Sequence, residues 1–120
     1  MILSELNERF GLRSGQKNAL RFEDGPCGLT RAAIATDAAT AEIYLQGAHV
    51  AAWQPAGVER PVLFMSAKSH FAVDKAIRGG VPLVFPWFAD RNGGLPGPAH
   101  GFARTVPWEV VATERRSAYV

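Results

Sequence analysis

The chain has 120 residues, of which 48% are hydrophobic and 20% are charged, and its formal net charge at pH 7 is +2. This is the composition of an ordinary soluble globular protein with one modest domain and one core. The 11 acidic residues are scattered among the 13 basic ones without forming a basic stripe, which argues against a nucleic-acid-binding surface. A small anionic ligand suits the mild positive excess better.

The first predicted element is a short helix that Ser4 caps and that ends at Phe10. Leu3, Leu6 and Phe10 would share one face of this helix, and Gly11 would stop it. The pattern therefore predicts a helix that packs one apolar face on the rest of the protein.

Four short strands are predicted next, at residues 19–22, 29–36, 40–46 and 48–54. The third of them alternates apolar and polar residues: its two faces carry Ala41, Ile43 and Leu45 against Glu42, Tyr44 and Gln46. Such alternation is typical of a half-buried antiparallel strand. Strands at about 8–12-residue spacing favour an all-β antiparallel sandwich or barrel over alternating strands and helices.

The pattern becomes less regular in the second half of the chain. Residues 61–65 and 108–113 are predicted to be strands, residues 66–74 are predicted to be a loop, and a further strand is expected to begin at Tyr119. The chain would then stop within an element. No internal repeat or linker divides it, so residues 1–120 are expected to form a single unit.

Residues 75–88 are too rich in cations, glycines, prolines and aromatic residues to be ordinary core. Pro82 and Pro86 lack backbone donors and exclude a helix interior or a central strand. The segment is therefore predicted to be a loop or an edge segment that its aromatic side chains bury, and a buried irregular loop usually lines a site.

Two arginines and a histidine stand in and after this segment. Arg78 precedes Gly79, which would allow the backbone to approach a ligand closely, and His100 and Arg104 follow a glycine- and proline-rich connector. Two guanidiniums and one imidazole could converge on one anion.

Three blocks of the sequence resemble a known family. The run Lys-Ala-Ile-Arg-Gly-Gly-Val-Pro-Leu-Val-Phe-Pro-Trp-Phe at residues 75–88, Ala-His-Gly-Phe-Ala-Arg at 99–104 and Gly-Ala-His-Val at 47–50 are similar, in order and spacing, to the hexose-6-phosphate mutarotases. These are also called glucose-6-phosphate 1-epimerases and lie within the aldose 1-epimerase superfamily. The resemblance implies the N-terminal part of a galactose mutarotase-like β-supersandwich, incomplete in this chain.

The resemblance also implies an activity, the interconversion of the α and β anomers of a sugar phosphate. An acid protonates the ring oxygen, a base deprotonates the anomeric hydroxyl, and the opened ring recloses on the other face. The family's catalytic histidine and glutamate lie beyond the part that these 120 residues match. The isolated chain is therefore expected to be inactive, and a non-catalytic sugar-phosphate-binding module or a truncated fragment is the alternative.

Five residues are expected to bind substrate on the strength of the resemblance. Arg78 and Arg104 match positions that hold the 6-phosphate, which suits the planar fork of a guanidinium. His100 would contact the sugar, Gly79 would lie beside the phosphate, and Trp87 could offer a ring face to sugar C–H groups. The alternatives are surface ion pairs for the arginines, an imidazole satisfied by backbone for His100 and core packing for Trp87.

The remaining expectations concern metals, location and assembly. His49 and His70 are predicted to be structural, and neither a metal nor another cofactor is expected. Cys27 is the single cysteine, and no run approaches the ~20 apolar residues of a membrane span, so a cytoplasmic protein without membrane association is expected. Half a sandwich leaves open edges and an uncovered face, which favours a homo-oligomer.

Overall fold

The computed structural model describes residues 1–116 and 120. It contains one α-helix and five strands, with the bounds α1 Leu3–Phe10, β1 Leu12–Ser14, β2 Lys17–Asp24, β3 Thr30–Ala35, β4 Ala39–Tyr44 and β5 His49–Pro55. The strands form a single antiparallel sheet in the order β1-β2-β3-β4-β5. Each strand thus pairs with the next one along the chain, and the predicted all-β antiparallel fold with a short N-terminal helix is confirmed.

Helix α1 packs on β2 and begins earlier than the sequence predicts. The expectation that Ser4 caps it is wrong, because the N-cap is Ile2, whose carbonyl accepts a hydrogen bond from Leu6 N–H at 3.0 Å. Ser4 therefore lies inside the first turn. The side chain of Asn7 joins the helix to the sheet, since it donates to the carbonyl of Phe22 at 2.8 Å and accepts from Phe22 N–H at 2.7 Å.

The helix covers the first of two core clusters. Its buried members are Leu6, Phe10, Leu20, Phe22 and Ala32. They come from α1, β2 and β3, which all end by Ala35, so this part of the core forms between elements that are close in the chain.

The second core cluster lies on the face of β4 that was predicted to be solvated. That prediction is wrong, because Tyr44 is buried there together with Leu29, Ala51 and Ile77. Ile77 belongs to an irregular segment that folds back over the sheet. The sheet is consequently covered on both faces at β4, and simple alternation could not reveal this since the covering residues lie about thirty positions away.

Two predicted strands do not form. Residues 61–65 and 108–113 have no strand in the structure, and pairing near the first is limited to isolated bridges such as Met65 with Gly79. In the second, Val110 packs on the first core cluster and Thr113 donates its hydroxyl hydrogen to the carbonyl of Phe10 at 2.6 Å. Residues 61–65 are thus held by an isolated bridge and by a backbone hydrogen bond from Gly80 N–H to the Phe64 carbonyl at 2.7 Å, and residues 108–113 largely by side-chain contacts. The strand expected from Tyr119 falls on residues outside the described part of the chain.

The segment at residues 75–88 is irregular, as predicted, but its aromatic side chains are not buried. Phe85 is 64% exposed and Phe88 is 76% exposed. The expectation of burial is wrong because the described residues form a single sheet, and that sheet covers Ile77 instead. None of the helices within residues 1–116 and 120 has the length and apolarity that crossing a membrane requires.

Candidate functional site

The β4–β5 turn, residues 45–48, fixes the position of two loops. Gln46, at its start, is buried, and its amide donates to the carbonyls of Ala72 and Lys75 at 3.0 and 2.8 Å. Its side-chain oxygen accepts from Asp74 N–H at 3.1 Å. One side chain therefore satisfies three backbone groups within residues 72–75. We call residues 72–81, which include Arg78, the first loop.

The same turn holds the second loop, residues 99–108. Gly47 N–H donates to the carbonyl of Val106 at 2.8 Å, and Trp108 N–H donates to the carbonyl of Leu45 at 2.9 Å. Gly47 has a φ of +78°, and a Cβ at this position would collide with the backbone of Arg104. Glycine is therefore required twice here, by the left-handed backbone and by the close approach of Arg104.

His49 is the residue that links both loops to the sheet. It is the first residue of β5, it is fully buried, and its Nε2 lies 2.6 Å from the carbonyl oxygen of Gly79. Burial lowers the pKa of His49 below its ordinary value of 6.5; the hydrogen bond to Gly79 opposes this, and the charge of Arg104 adds to it. The imidazole is therefore neutral near pH 7 and stands between Gly79 and Arg104.

Arg78 and Gly79 lie in a segment held on both sides by backbone. Arg78 N–H donates to the hydroxyl of Ser69 at 3.0 Å, and its carbonyl accepts from Ser66 N–H at 3.0 Å. A Cβ on Gly79 would collide with the carbonyl of Phe64, so the protein's own packing already requires this glycine. The Arg78 guanidinium is exposed, and within residues 1–116 and 120 it forms no ion pair.

Arg104 is half-buried at the far side of the same region. One terminal nitrogen, Nη2, donates to the carbonyl of Ala99 at 3.0 Å, while Nε is buried and has no hydrogen-bond partner among the described residues. Among the described residues, the guanidinium is thus oriented by a hydrogen bond at Nη2 alone. Its contact with Ala99 places it next to His100.

His100 is held by Ala89 through two reciprocal hydrogen bonds. His100 N–H donates to the carbonyl of Ala89 at 2.9 Å, and Ala89 N–H donates to Nδ1 of the imidazole at 3.0 Å. Because Nδ1 accepts, the proton of a neutral ring lies on Nε2. The ring packs against Phe88 with centroids 5.0 Å apart. His100 can therefore offer an oriented N–H donor to a ligand.

Trp87 organises the segment between the two loops. Its indole N–H donates to the carbonyl of Pro98 at 2.8 Å, and the guanidinium of Arg91 lies over the ring at 5.0 Å from the centroid. Phe102 contacts it edge-on at 6.1 Å. One ring face is thus occupied by a cation, and the sugar contact that the sequence predicts for this ring stays a prediction.

The structure links the predicted residues in two groups. Gly79, next to Arg78, bonds to His49, and Arg104 bonds to Ala99, next to His100; the charge of Arg104 acts on His49. Trp87 contacts residues of its own segment. Sequence reasoning gave Gln46 no role and His49 only a structural one, although His49 stands in one of the resembling blocks and Gln46 directly precedes that block. Polar residues flanking a Gly-Ala turn between two strands were the available signal.

The described residues contain no group of three His, Cys, Asp or Glu side chains placed to hold a metal ion. The arrangement can instead present cationic and N–H donors to an anion bearing hydroxyl groups. Guanidinium and imidazole N–H groups are the donors that phosphate and sugar oxygens accept best.

Comparison with known proteins gives a consistent result. The aldose 1-epimerase family matches residues 31–120. A protein of Escherichia coli (strain K12) named "Putative glucose-6-phosphate 1-epimerase" is 52% identical over 69 residues, which are 57% of this chain and 22% of the relative. A protein of the same name from Salmonella typhimurium is 47% identical over 73 residues, 60% of this chain and 24% of the relative.

A solved structure agrees with these relatives. The crystal structure of a "putative mutarotase" from Salmonella typhimurium is 32% identical, has a TM-score of 0.71, and covers 93% of this chain and 37% of its own. The chain thus matches 22% and 24% of the length of the two curated relatives.

Proposed function

The chain belongs to the aldose 1-epimerase family, and we propose that it forms the sugar-phosphate-binding part of a hexose-6-phosphate 1-epimerase, an isomerase that interconverts anomers. The names of the relatives supply the substrate class. The observation that carries the proposal is the hydrogen bond of His49 to Gly79 together with the close approach of Gly47 to the backbone of Arg104, since each ties an arginine-bearing loop to the β4–β5 hairpin.

Arg78 and Arg104 bind the phosphoryl group in this proposal. The exposed guanidinium of Arg78 is free to pair with an anion, and Arg104 approaches from the second loop. A bidentate guanidinium contact supplies two parallel hydrogen bonds to phosphate oxygens, which is stronger than a point charge. The Gly79 backbone lies beside the phosphate.

His100 and Trp87 bind the sugar ring in this proposal. The Nε2–H of His100 donates to a hydroxyl, because Ala89 already occupies Nδ1. Trp87 packs its free face on sugar C–H groups.

The acid and base of ring opening come from outside these 120 residues in this proposal. The isolated chain should then catalyse mutarotation of glucose 6-phosphate no faster than buffer, because positioned acid and base groups supply a large share of the rate. Polarimetry or exchange NMR in dilute buffer measures this. A rate well above the buffer rate would show that His100 or His70 acts as the acid.

The phosphate contacts are tested by replacing arginine with lysine. Arg78→Lys and Arg104→Lys keep the charge and lose the planar fork, so binding of glucose 6-phosphate should weaken by about 1–3 kcal/mol. Binding of free glucose should hardly change. Arg13→Lys on β1, at the opposite edge of the sheet from β5, is the control. Equal losses for both sugars would mean that the arginines support the fold and do not bind the phosphate.

A second candidate is a sugar-phosphate-binding module without catalysis. It is favoured by the same cationic residues and needs neither acid nor base in the chain. This candidate is supported if calorimetry detects binding of glucose 6-phosphate and the full-length protein leaves the rate of anomer exchange unchanged. A truncated fragment, in contrast, would show no binding.

We also propose that residues 1–120 form one unit and that the chain assembles as a homo-oligomer. Large apolar side chains stay exposed along the second half of the chain, among them Phe64, Phe85, Phe88 and Val111. Monomeric proteins seldom expose so many. Light scattering should give a mass above 13.0 kDa, whereas a stable monomer at high concentration would contradict the assembly.

A cytoplasmic location is proposed as well, because Cys27 is free and exposed and reducing compartments preserve such thiols. Cell fractionation measures it.

A further inference from the structure

The buried imidazole of His49 has one satisfied nitrogen and one unsatisfied one. A carbonyl oxygen can only accept, so the Nε2 atom that lies 2.6 Å from the Gly79 carbonyl must carry the proton. In the neutral ring Nδ1 is then an acceptor. This atom is buried and has no hydrogen-bond partner among the described residues, and a buried polar atom is costly when it stays unpaired.

Arg104 carries the complementary group, a buried donor without an acceptor. Its Nε–H is a donor, it is buried, and it also lacks a partner among the described residues. Within residues 1–116 and 120 these two nitrogens make up the whole set of buried side-chain atoms without a partner. One is an acceptor and the other is a donor, and the charge of Arg104 is close enough to act on His49.

The backbone brings the two residues together. Gly47, two positions before His49, packs its α-carbon against the backbone of Arg104, and a Cβ on Gly80 would lie 3.0 Å from Nε2 of His49. The imidazole is therefore enclosed between the two loops. Buried polar atoms in native proteins are nearly always paired, with protein or with an ordered water.

We propose that His49 is a positioning residue for Arg104: one buried water accepts the Nε–H of the guanidinium and donates to Nδ1 of the imidazole. The imidazole then joins the Gly79 carbonyl to the Arg104 side chain. Ala99 holds the guanidinium at Nη2 and His49 holds it at Nε. This leaves Nη1 to bind the ligand together with Arg78, which lies next to Gly79.

The consequence for binding rests on the proposed function. If Arg104 binds phosphate, its affinity depends on a fixed direction of the guanidinium plane, because bidentate geometry is lost when the plane rotates. His49 therefore acts on the ligand through Arg104 without touching it.

The first experiment measures the contact itself and needs no ligand. In ¹⁵N NMR of the full chain, His49 should show a protonated Nε2 and an unprotonated Nδ1. The Nε–H of Arg104 should exchange with solvent at least about 10-fold more slowly than that of Arg13, which is exposed on β1. A protonated Nδ1, or an Arg104 Nε–H that exchanges as fast as Arg13, would overturn the proposal.

Two substitutions separate the two nitrogens of the ring. His49→Gln keeps a donor where Nε2 stands and removes the acceptor at Nδ1, so the slow exchange of Arg104 Nε–H should be lost. His49→Asn places its side-chain oxygen near the position of Nδ1 and should keep part of that protection. Equal exchange in both variants would mean that the imidazole only fills space.

The effect on binding is measured as a double-mutant cycle with glucose 6-phosphate. His49→Gln should weaken binding by about 10-fold in the native background and by less than about 2-fold when Arg104 is already lysine. Equal losses in both backgrounds would overturn the positioning role. If the native chain binds no glucose 6-phosphate at all, the proposed function fails, while the exchange measurement still decides the contact between His49 and Arg104.

Discussion

The two halves of this molecule are held together in different ways. Residues 1–55 contain the helix and all five strands, and each strand is hydrogen-bonded to its neighbour in the sequence. Residues 56–116 contain one short 3₁₀ turn, Asn92–Gly94, and a few isolated bridges. The first half is held by the pairing of its own strands, whereas the second is tied to it by isolated bridges, a few backbone hydrogen bonds and a few side chains.

This difference shows what the sheet does for the site. Both loops are held by Gln46 and Gly47 in the β4–β5 turn and by His49 at the start of β5. The residues predicted to bind ligand therefore stand on irregular backbone whose position is set by one rigid hairpin, as is common for functional loops. Three experiments test this difference between the halves.

The largest effect on stability is expected from removing one large side chain from the core of the first half. Phe22→Ala removes a side chain that is 4% exposed in the first core cluster and should lower the free energy of unfolding by about 3–5 kcal/mol. Phe85→Ala, in the second half, should change it by less than about 0.5 kcal/mol. Urea unfolding followed by circular dichroism measures both. Similar losses would mean that the second half is packed as tightly as the first.

An intermediate effect is expected where the first loop meets the sheet. Gly80 has a φ of +64°, and a Cβ there would collide with the carbonyl of Val50. Gly80→Ala should cost more than about 2 kcal/mol, since the strain of the left-handed region, about 1–2 kcal/mol, adds to the collision. Gly57→Ala is the control, because Gly57 has a φ of +79° with no atom near its Cβ position. Equal losses of unfolding free energy in the two variants would show that the first loop is not held at Gly80.

The smallest effect is a dependence of stability on pH at the junction of the two halves. Burial lowers the pKa of His49, so the unfolded chain binds this proton at a higher pH than the folded chain. The free energy of unfolding should therefore fall as the pH drops below about 6.5, by at most about 1.4 kcal/mol per pH unit, until the pH is below the folded pKa. Unfolding in urea between about pH 7.5 and 5.5 measures this, and His49→Gln should remove that part of the slope.

The sequence predicts the first half better than the second. Strands β2 to β5 and helix α1 follow from hydrophobic period and from glycines, which act over short distances. Burial of Tyr44 and Gln46 was missed because the residues that cover them come from the first loop. Residues 108–113 are rich in the β-branched and aromatic types typical of a strand, yet no neighbouring strand pairs with them in the described residues. Pairing partners, unlike period, cannot be deduced from a single segment.

For the candidate site, residue types were predicted from a resemblance, and the contacts that hold them were not. One region holds Arg78, Gly79, His100 and Arg104. Only the structure shows that His49 bonds to Gly79 and that the charge of Arg104 acts on it. Their roles toward a sugar phosphate stay predictions.

The reciprocal hydrogen bonds between Ala89 and His100 have a consequence for how this family member could change. They close residues 90–99 into a segment with a fixed base and an exposed, glycine-rich tip. Residues at the tip can be added, deleted or exchanged while the base, and with it the imidazole of His100, stays in place. Variation among family members could therefore be confined to this tip and leave the Nε2–H donor of His100 in place.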